Sequence, residues 1–415
     1  MAIALAIGGF ALSLAPHGSI GPPWALAALA AGCFVWVLRS PLDTRRDDVL
    51  PALAVLVSSL GLATIARLSS ALAHKQEILL AISLALVVVV APSFDTFRRL
   101  AAYKYVWVLG SIVLFALVAV FGQEVNGAKL WIRIGPVQYE PVELIKLFIV
   151  LFMAGYLAET ADVLAAAKWW SIRANLKYLG PLFLGWATSM AILVFERDIG
   201  MASLLLATFV AMLYIATRRV DLIAGGAAIF AAAVWFAVSH YPYVIERFAV
   251  WRDPFADPLG IGYQALQGLF SLDDGGLLGT GYGLGEPYYI PAVQTDYIFA
   301  AWSEEFGAIG GIVLVTAFLV MLVRSLRVAQ AQPDLYAKLL ASGLAVTLGF
   351  QVFIIVGGVL GLFPLTGITL PFFSYGGSSL VANFLLIALV WAISSERLDP
   401  PATRKRRDRV QQQAA

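Results

Sequence analysis

The chain has 415 residues, of which 60% are hydrophobic and only 13% charged, with 28 basic side chains against 26 acidic ones. Soluble globular domains carry charge on about a quarter of their residues, so composition excludes a protein covered by water alone. A net charge of +2 identifies no partner, and the information lies in where the charges fall.

Crossing a hydrocarbon core takes about 20 apolar residues in helix. Such runs lie near 2–20, 22–38, 50–72, 77–93, 103–122, 142–158, 177–195, 199–217, 220–240, 297–323, 338–360 and 376–395. The expected fold class is therefore an all-α polytopic membrane protein of about twelve transmembrane helices. Pro16, His17 and Pro22 crowd the end of the first run and make it the weakest. The first 38 residues carry no Lys or Arg, so the basic start of a signal peptide is missing. The one cysteine, Cys33, has no internal disulfide partner. His17, His74 and His240 lack metal-ligand spacing.

Lys and Arg in the connections set the orientation. With the N-terminus inside, 20 basic residues fall in inner loops and the tail, and six (Lys75, Lys129, Arg133, Arg197, Arg247 and Arg252) fall outside. Both termini are thus expected in the cytoplasm, with the two long connections, 123–141 and 241–296, facing out. Those connections are rich in Trp, Tyr, Pro, Gly and charge, and long loops of this kind are commonly functional. Phe248, Trp251, Phe255, Tyr263, Leu266 and Phe270 suggest a segment lying in the membrane interface.

Three features could carry chemistry. Glu143 and Lys146 share a helix face at the outer start of the sixth span; charges at that depth face a cavity or each other. They read equally as a structural ion pair or as a polar site. Asp296 stands where the long outer loop enters the tenth span. Either it or Thr295 could cap that helix, or Asp296, at an apolar rim that raises a carboxyl pKa, could serve as a general base. Glu304 and Glu305 follow deeper in the same span, and their cost suggests a hydrated cavity. Third, Ser374, Tyr375 and Gly376–Ser379 precede the last span and either permit close helix packing or line a polar pocket. Gly279–Gly285 looks like a nucleotide loop only superficially, because no strand precedes it and it faces out.

Seven segments in order carry a resemblance: 126–135 (NGAKLWIRIG), 140–146 (EPVELIK), 196–200 (ERDIG), 253–267 (DPFADPLGIGYQALQ), 275–281 (GGLLGTG), 295–307 (TDYIFAAWSEEFG) and 364–379 (PLTGITLPFFSYGGSS). Together they resemble the SEDS family of RodA, FtsW and SpoVE, over residues 50–395 or so. The resemblance implies a membrane glycosyltransferase that polymerises lipid II into glycan strands on the outer face of the cytoplasmic membrane, for cell elongation or division. It implies two extra N-terminal spans in 1–49, as in the RodA-type proteins of actinobacteria, a polymerase core in 50–396 and a basic cytoplasmic tail in 397–415.

The same resemblance implies that Asp296 is the base, places Glu143 and Lys146 in the catalytic cavity, and makes Trp131 a sugar-stacking or gating aromatic. Lys129, Arg133, Arg197, Asp198, Thr295, Ser374 and Tyr375 join as expected substrate contacts. A divalent cation, Mg or Mn, is an expected helper for the undecaprenyl pyrophosphate leaving group, beside Lys146, Lys129, Arg133 and Arg197. The expected partners are lipid II, a class B penicillin-binding protein and the elongation or division complex. Where many members carry His before the Thr-Asp pair, this chain has Gln294, so one proton carrier is missing and more weight falls on Asp296. The rival reading is a flippase for lipid II or another polar lipid, against which the one-sided gathering of polar groups argues.

Overall fold

The computed structural model describes residues 47–90, 97–125, 128–134, 137–167, 177–182 and 198–395. The expected spans at 2–20 and 22–38, and all of 177–195 beyond the short helical stretch 177–182, lie outside the described residues. Among the described residues nine helices are long and apolar enough to cross a membrane, and they coincide with the nine remaining runs. The chain is an integral membrane protein of polytopic α-helical class. In lipid every backbone N–H and C=O must be satisfied within its own segment, which a continuous helix achieves.

In chain order the elements are α1 (Val49–Leu68), α2 (Ser70–Val90), α3 (Phe97–Ala102) and α4 (Lys104–Phe121), then strands β1 (Gln123–Val125), β2 (Ala128–Ile134) and β3 (Val137–Tyr139). There follow α5 (Val142–Ala166), α6 (Ile199–Thr217), α7 (Val220–His240), α8 (Pro242–Arg252), α9 (Tyr263–Gly275), α10 (Ile298–Gln330), α11 (Leu335–Val359) and α12 (Gly377–Ser394). Helices α1, α5, α11 and α12 are the most enclosed of the described spans, and the buried Ile145, Val150, Leu340, Leu344, Leu386 and Ile387 of the last three belong to one continuous core. Outward faces such as Val106, Leu109, Val120, Trp235, Ile312 and Val313 are exposed, and apolar surface on this scale requires lipid to cover it.

Several boundaries differ from the expectation for identifiable reasons. Ser69 alone separates α1 from α2: its backbone is extended, with φ −159° and ψ 110°, so the expected outer loop at 73–76 is the first turns of α2. Helix α5 runs on to Ala166, and Lys104 at the start of α4 pairs with Glu159 on that extension. The connection 123–141, read as a loop, contains a three-stranded antiparallel sheet, β1-β2-β3, with Ile132 opposite Tyr139 and Arg133 opposite Gln138. The long connection 241–296 is largely ordered by α8, α9 and two 3-10 turns. Of its aromatic segment, Leu266 is buried while Trp251, Phe255 and Phe270 remain exposed.

Helix α10 breaks at Gly307, whose φ of +67° a side chain would strain. The glycine-rich 275–285 stretch packs into this break. Thr280 N donates to Glu304 O at 2.9 Å and Ala308 N to Gly276 O at 2.9 Å, and a Cβ on Gly279 would lie 2.2 Å from Glu305 O. The glutamates expected in a hydrated cavity have protein partners instead. Glu305 pairs with Arg67 at 3.3 Å, Arg67 also donates to the carbonyls of Gly283 and Gly285, and Glu304 accepts from Glu286 N.

Candidate active site

The three central helices contribute four polar side chains to a buried cluster, two of them from α5. Lys146 of α5 is fully buried, and its ammonium lies 2.5 Å from Glu143 Oε2. It also donates to Gln351 Oε1 of α11 at 2.9 Å and to Asn383 Oδ1 of α12 at 3.2 Å. An ammonium has three donors, and this one has three acceptors. The amides are held in turn: Gln351 donates to Thr369 O at 3.0 Å, and Asn383 to Ser379 O at 2.8 Å. Thr369 and Ser379 share a hydroxyl bond of 2.7 Å.

The link between α11 and α12 extends this network to the loop bearing Asp296. Ser374 is buried; its hydroxyl donates to Thr295 O at 2.6 Å and accepts from Leu370 N at 2.9 Å. Tyr375 N donates to Gln294 O at 2.8 Å. Gln76 of α2 brackets the turn, donating to Ser374 O and accepting from Gly376 N. Two of these five bonds hold the Gln294 and Thr295 carbonyls just before Asp296, and the other three hold the link that makes them.

Asp296 does not cap that helix. The N-cap is Tyr297, and no side chain bonds there; the Thr295 hydroxyl donates back to Ala292 O at 2.9 Å. Asp296 instead opens onto a cleft of about 370 Å³ walled by Tyr243, Glu246, Arg247 and Trp251 of α8, Gln264 of α9, and the link residues Gly361, Phe363 and Leu365. Burial pushes the Asp296 carboxyl up to about 6, against the pull of the Thr295 hydroxyl and the Arg247 charge. Asp198, the N-cap of α6, accepts from Met201 N at 2.9 Å, and burial likewise holds it at about 6. Glu140, just before α5, is raised well above the carboxylate range by burial first and by Glu143 next; its backbone N–H donates to Ser378 Oγ at 2.8 Å. The Glu140, Glu143, Asp198 and Asp296 carboxyls thus share one field with the Lys146 and Arg247 cations.

The expected site residues divide accordingly. Glu143 and Lys146 meet as an ion pair, while Asp296, Thr295, Ser374 and Tyr375 gather around one loop. Trp131, half-buried, and Arg133, exposed, sit on β2, and neither lines the Asp296 cleft. Lys129 is in β2 opposite Glu124, and Arg197 lies outside the described residues. Among the described residues no three His, Cys, Asp or Glu side chains gather to hold a metal ion, so the expected Mg or Mn finds no protein cage there. Sequence reading missed Gln351 and Asn383, although lone amides inside apolar spans are a recognisable signal. It also missed Arg247, Trp251 and Gln264 as lining of the cleft.

Comparison with known proteins agrees with the earlier resemblance. The FtsW/RodA/SpoVE family model, described as "Cell cycle protein", matches residues 49–398. The peptidoglycan glycosyltransferase RodA of Mycobacterium tuberculosis is 36% identical over 407 residues, covering 93% of this chain and 87% of that protein. A chain from a solved peptidoglycan synthase complex, described as coordinating polymerization and crosslinking, superposes with a TM-score of 0.71 at 30% identity over 86% of this chain and 99% of its own. The crystal structure of Thermus thermophilus RodA, a rod shape determining protein, gives 0.63 at 28% identity over 86% and 98%. With a family match over most of its length and these relatives, the chain belongs to the FtsW, RodA and SpoVE family.

Proposed function

We infer that this protein is a peptidoglycan glycosyltransferase that polymerises lipid II into glycan strands. The observation carrying the site assignment is Asp296: a half-buried carboxyl, not used as a cap, opening on a cleft beside Arg247, with its proton affinity raised to about 6. A base of that affinity is ionised at neutral pH yet far more basic than a free carboxylate, which suits general-base work. Asp296 takes the proton from the acceptor GlcNAc 4-hydroxyl as that oxygen attacks the MurNAc anomeric carbon. The new glycosidic bond forms with inversion, the bond to pyrophosphate breaks, and undecaprenyl pyrophosphate leaves with the electron pair. Ser374 positions the Thr295–Asp296 loop, and the Glu143–Lys146–Gln351–Asn383 cluster fixes the three helices beneath it. A divalent cation, Mg or Mn, would supply Lewis-acid charge to the leaving pyrophosphate when bound.

The membrane is the cytoplasmic one, with both termini inside and the Asp296 cleft outside; the 20-to-six distribution of basic residues supports this orientation. The partner is a class B penicillin-binding transpeptidase, for which exposed Leu259, Leu277, Leu278 and Leu284 in the outer segment offer apolar surface. The flippase reading is not favoured, since the relatives carry the glycosyltransferase name.

Asp296→Asn removes the base and keeps the size. Purified variant on lipid II should fold and bind normally but polymerise about 10²–10⁴-fold more slowly. In the wild type, activity should fall as pH drops through about 6, because the protonated carboxyl cannot accept. Full turnover by Asp296→Asn ends the assignment.

A further inference from the structure

Lys146, expected to steady the leaving pyrophosphate, cannot do so in this arrangement: it is fully buried and its three donors are occupied by Glu143, Gln351 and Asn383. Among the described residues, Arg247 is the one basic side chain lining the Asp296 cleft. Its Nη1 donates to Leu365 O at 3.1 Å, which anchors one arm of the guanidinium and leaves other N–H groups free to serve the cleft. Besides Tyr243 and Glu246, two further polar side chains of the wall are anchored in the same manner. Trp251 Nε1 donates to Gly361 O at 2.9 Å, and Gln264 Nε2 to Pro291 O at 2.8 Å, leaving the Gln264 carbonyl and the indole face available. Three side chains from α8 and α9 are thus fixed by backbone carbonyls of other segments before any ligand arrives.

Gly367 keeps a space open between Arg247 and Asp296. A Cβ there would stand 3.5 Å from Arg247 Nη2 and 3.9 Å from Asp296 Oδ2, and its φ of +79° disfavours any side chain. The guanidinium and the carboxylate approach one point from two sides without forming an ion pair. Displacement at a carbon needs this separation: the attacking hydroxyl belongs on the carboxylate side and the departing oxygen on the cationic side. A guanidinium is also the side chain best matched to phosphate oxygens, through parallel N–H donors that lysine lacks.

We propose that Arg247 binds the pyrophosphate of the polyprenyl leaving group, on the far side of the Gly367 gap from Asp296, in a cleft whose sugar-facing walls are Trp251 and Gln264. The proposal rests on the glycosyltransferase reading and assigns Arg247 a direct substrate contact.

The test uses the full-length protein in detergent with lipid II, measuring glycan formation and its inhibition by added undecaprenyl pyrophosphate, with undecaprenyl monophosphate as the control. Arg247→Gln should lower kcat/KM by about 10²–10³-fold, the usual loss for one transition-state charge donor. The concentration of undecaprenyl pyrophosphate giving half-inhibition should rise at least about tenfold, with a smaller change for the monophosphate. Arg247→Lys keeps the charge without the fork and should fall between the two; it also serves if Arg247→Gln proves unstable. Unchanged inhibition by undecaprenyl pyrophosphate in a folded Arg247→Gln or Arg247→Lys variant overturns the proposal, and so does a loss of activity traced wholly to a shifted pH profile. Wild-type protein that makes no glycan overturns the glycosyltransferase reading itself, whereas an active wild type with an Arg247 variant of unaltered inhibition sinks the phosphate role alone.

Discussion

Replacing Lys146 by methionine tests whether the central cluster holds the bundle by satisfied charge. The side chain is fully buried, and Glu143 beside it is 2% exposed. Methionine leaves the Glu143 carboxylate without its counter-ion, a change that costs about 3–5 kcal/mol for a buried pair. It also strips one hydrogen bond from each of the Gln351 and Asn383 carbonyls, and an unpaired buried acceptor costs roughly 1–3 kcal/mol. The Glu143→Leu, Lys146→Met double variant removes the stranded charge but leaves the two amides. It should therefore recover the larger part of the loss and not the whole of it. Thermal melting of the detergent-purified proteins reads this directly, with the expected order wild type, double variant, single variant. If Lys146→Met melts with the wild type, or below it by no more than the double variant does, the charge-burial account is wrong. Polymerisation should be impaired in both variants, because the double replacement restores charge balance but not the amide geometry that aligns α11 and α12.

Three further outcomes follow from the same contacts. Asp198→Asn should raise stability at pH 7 by on the order of 2 kcal/mol, because asparagine caps a helix equally well and the native site no longer holds a carboxylate whose affinity burial has raised to about 6. The sign follows from linkage: the folded state binds the proton more tightly, so this site's contribution weakens as pH rises from about 4 to about 6, and the gain in the variant should vanish in melts near pH 4. Ser374→Ala unpairs Leu370 N and Thr295 O and should lower kcat well before it changes KM for lipid II; a rise in KM alone would refute its role in placing Asp296. Topology reporters fused after Ala415 or inserted near Arg173 should be active only in the cytoplasm, and one near Asp273 only outside, with any reversal undoing the orientation.

The spans were legible in the sequence because lipid imposes a length and an apolarity that no neighbour can alter. Asp296 was legible in position, while its local pattern left cap and base open: a carboxylate two residues before a helix satisfies the rule for a cap, and only the backbone course shows Tyr297 in that place. The β2 strand was missed although Leu130–Ile134 is rich in aromatic and β-branched residues, since a short stretch between two spans reads most simply as a loop. Arg247 was missed for a stronger reason. Locally it is an exposed charge on an outer helix, indistinguishable from a solvated one. Its meaning depends on Leu365, 118 positions away, and on the missing side chain of Gly367, neither of which leaves a mark near residue 247.

Lys146 and Arg247 divide the electrostatic work by how many of their donors are already taken. Lys146 is enclosed by three acceptors from α5, α11 and α12, so any rotation of those helices would strand a buried charge, and its value lies in holding one arrangement. Such a group has nothing left to offer a phosphate. Arg247 gives one arm to the chain and keeps the rest for the cleft, at a place where Gly367 leaves space between it and Asp296. A site that must bind an anion, release it and bind again cannot use a saturated cation, because exchange would cost the full price of exposing its partners. The active cleft therefore depends on the half-satisfied guanidinium, and the saturated ammonium below supplies the rigidity that keeps the opposing carboxylate in place.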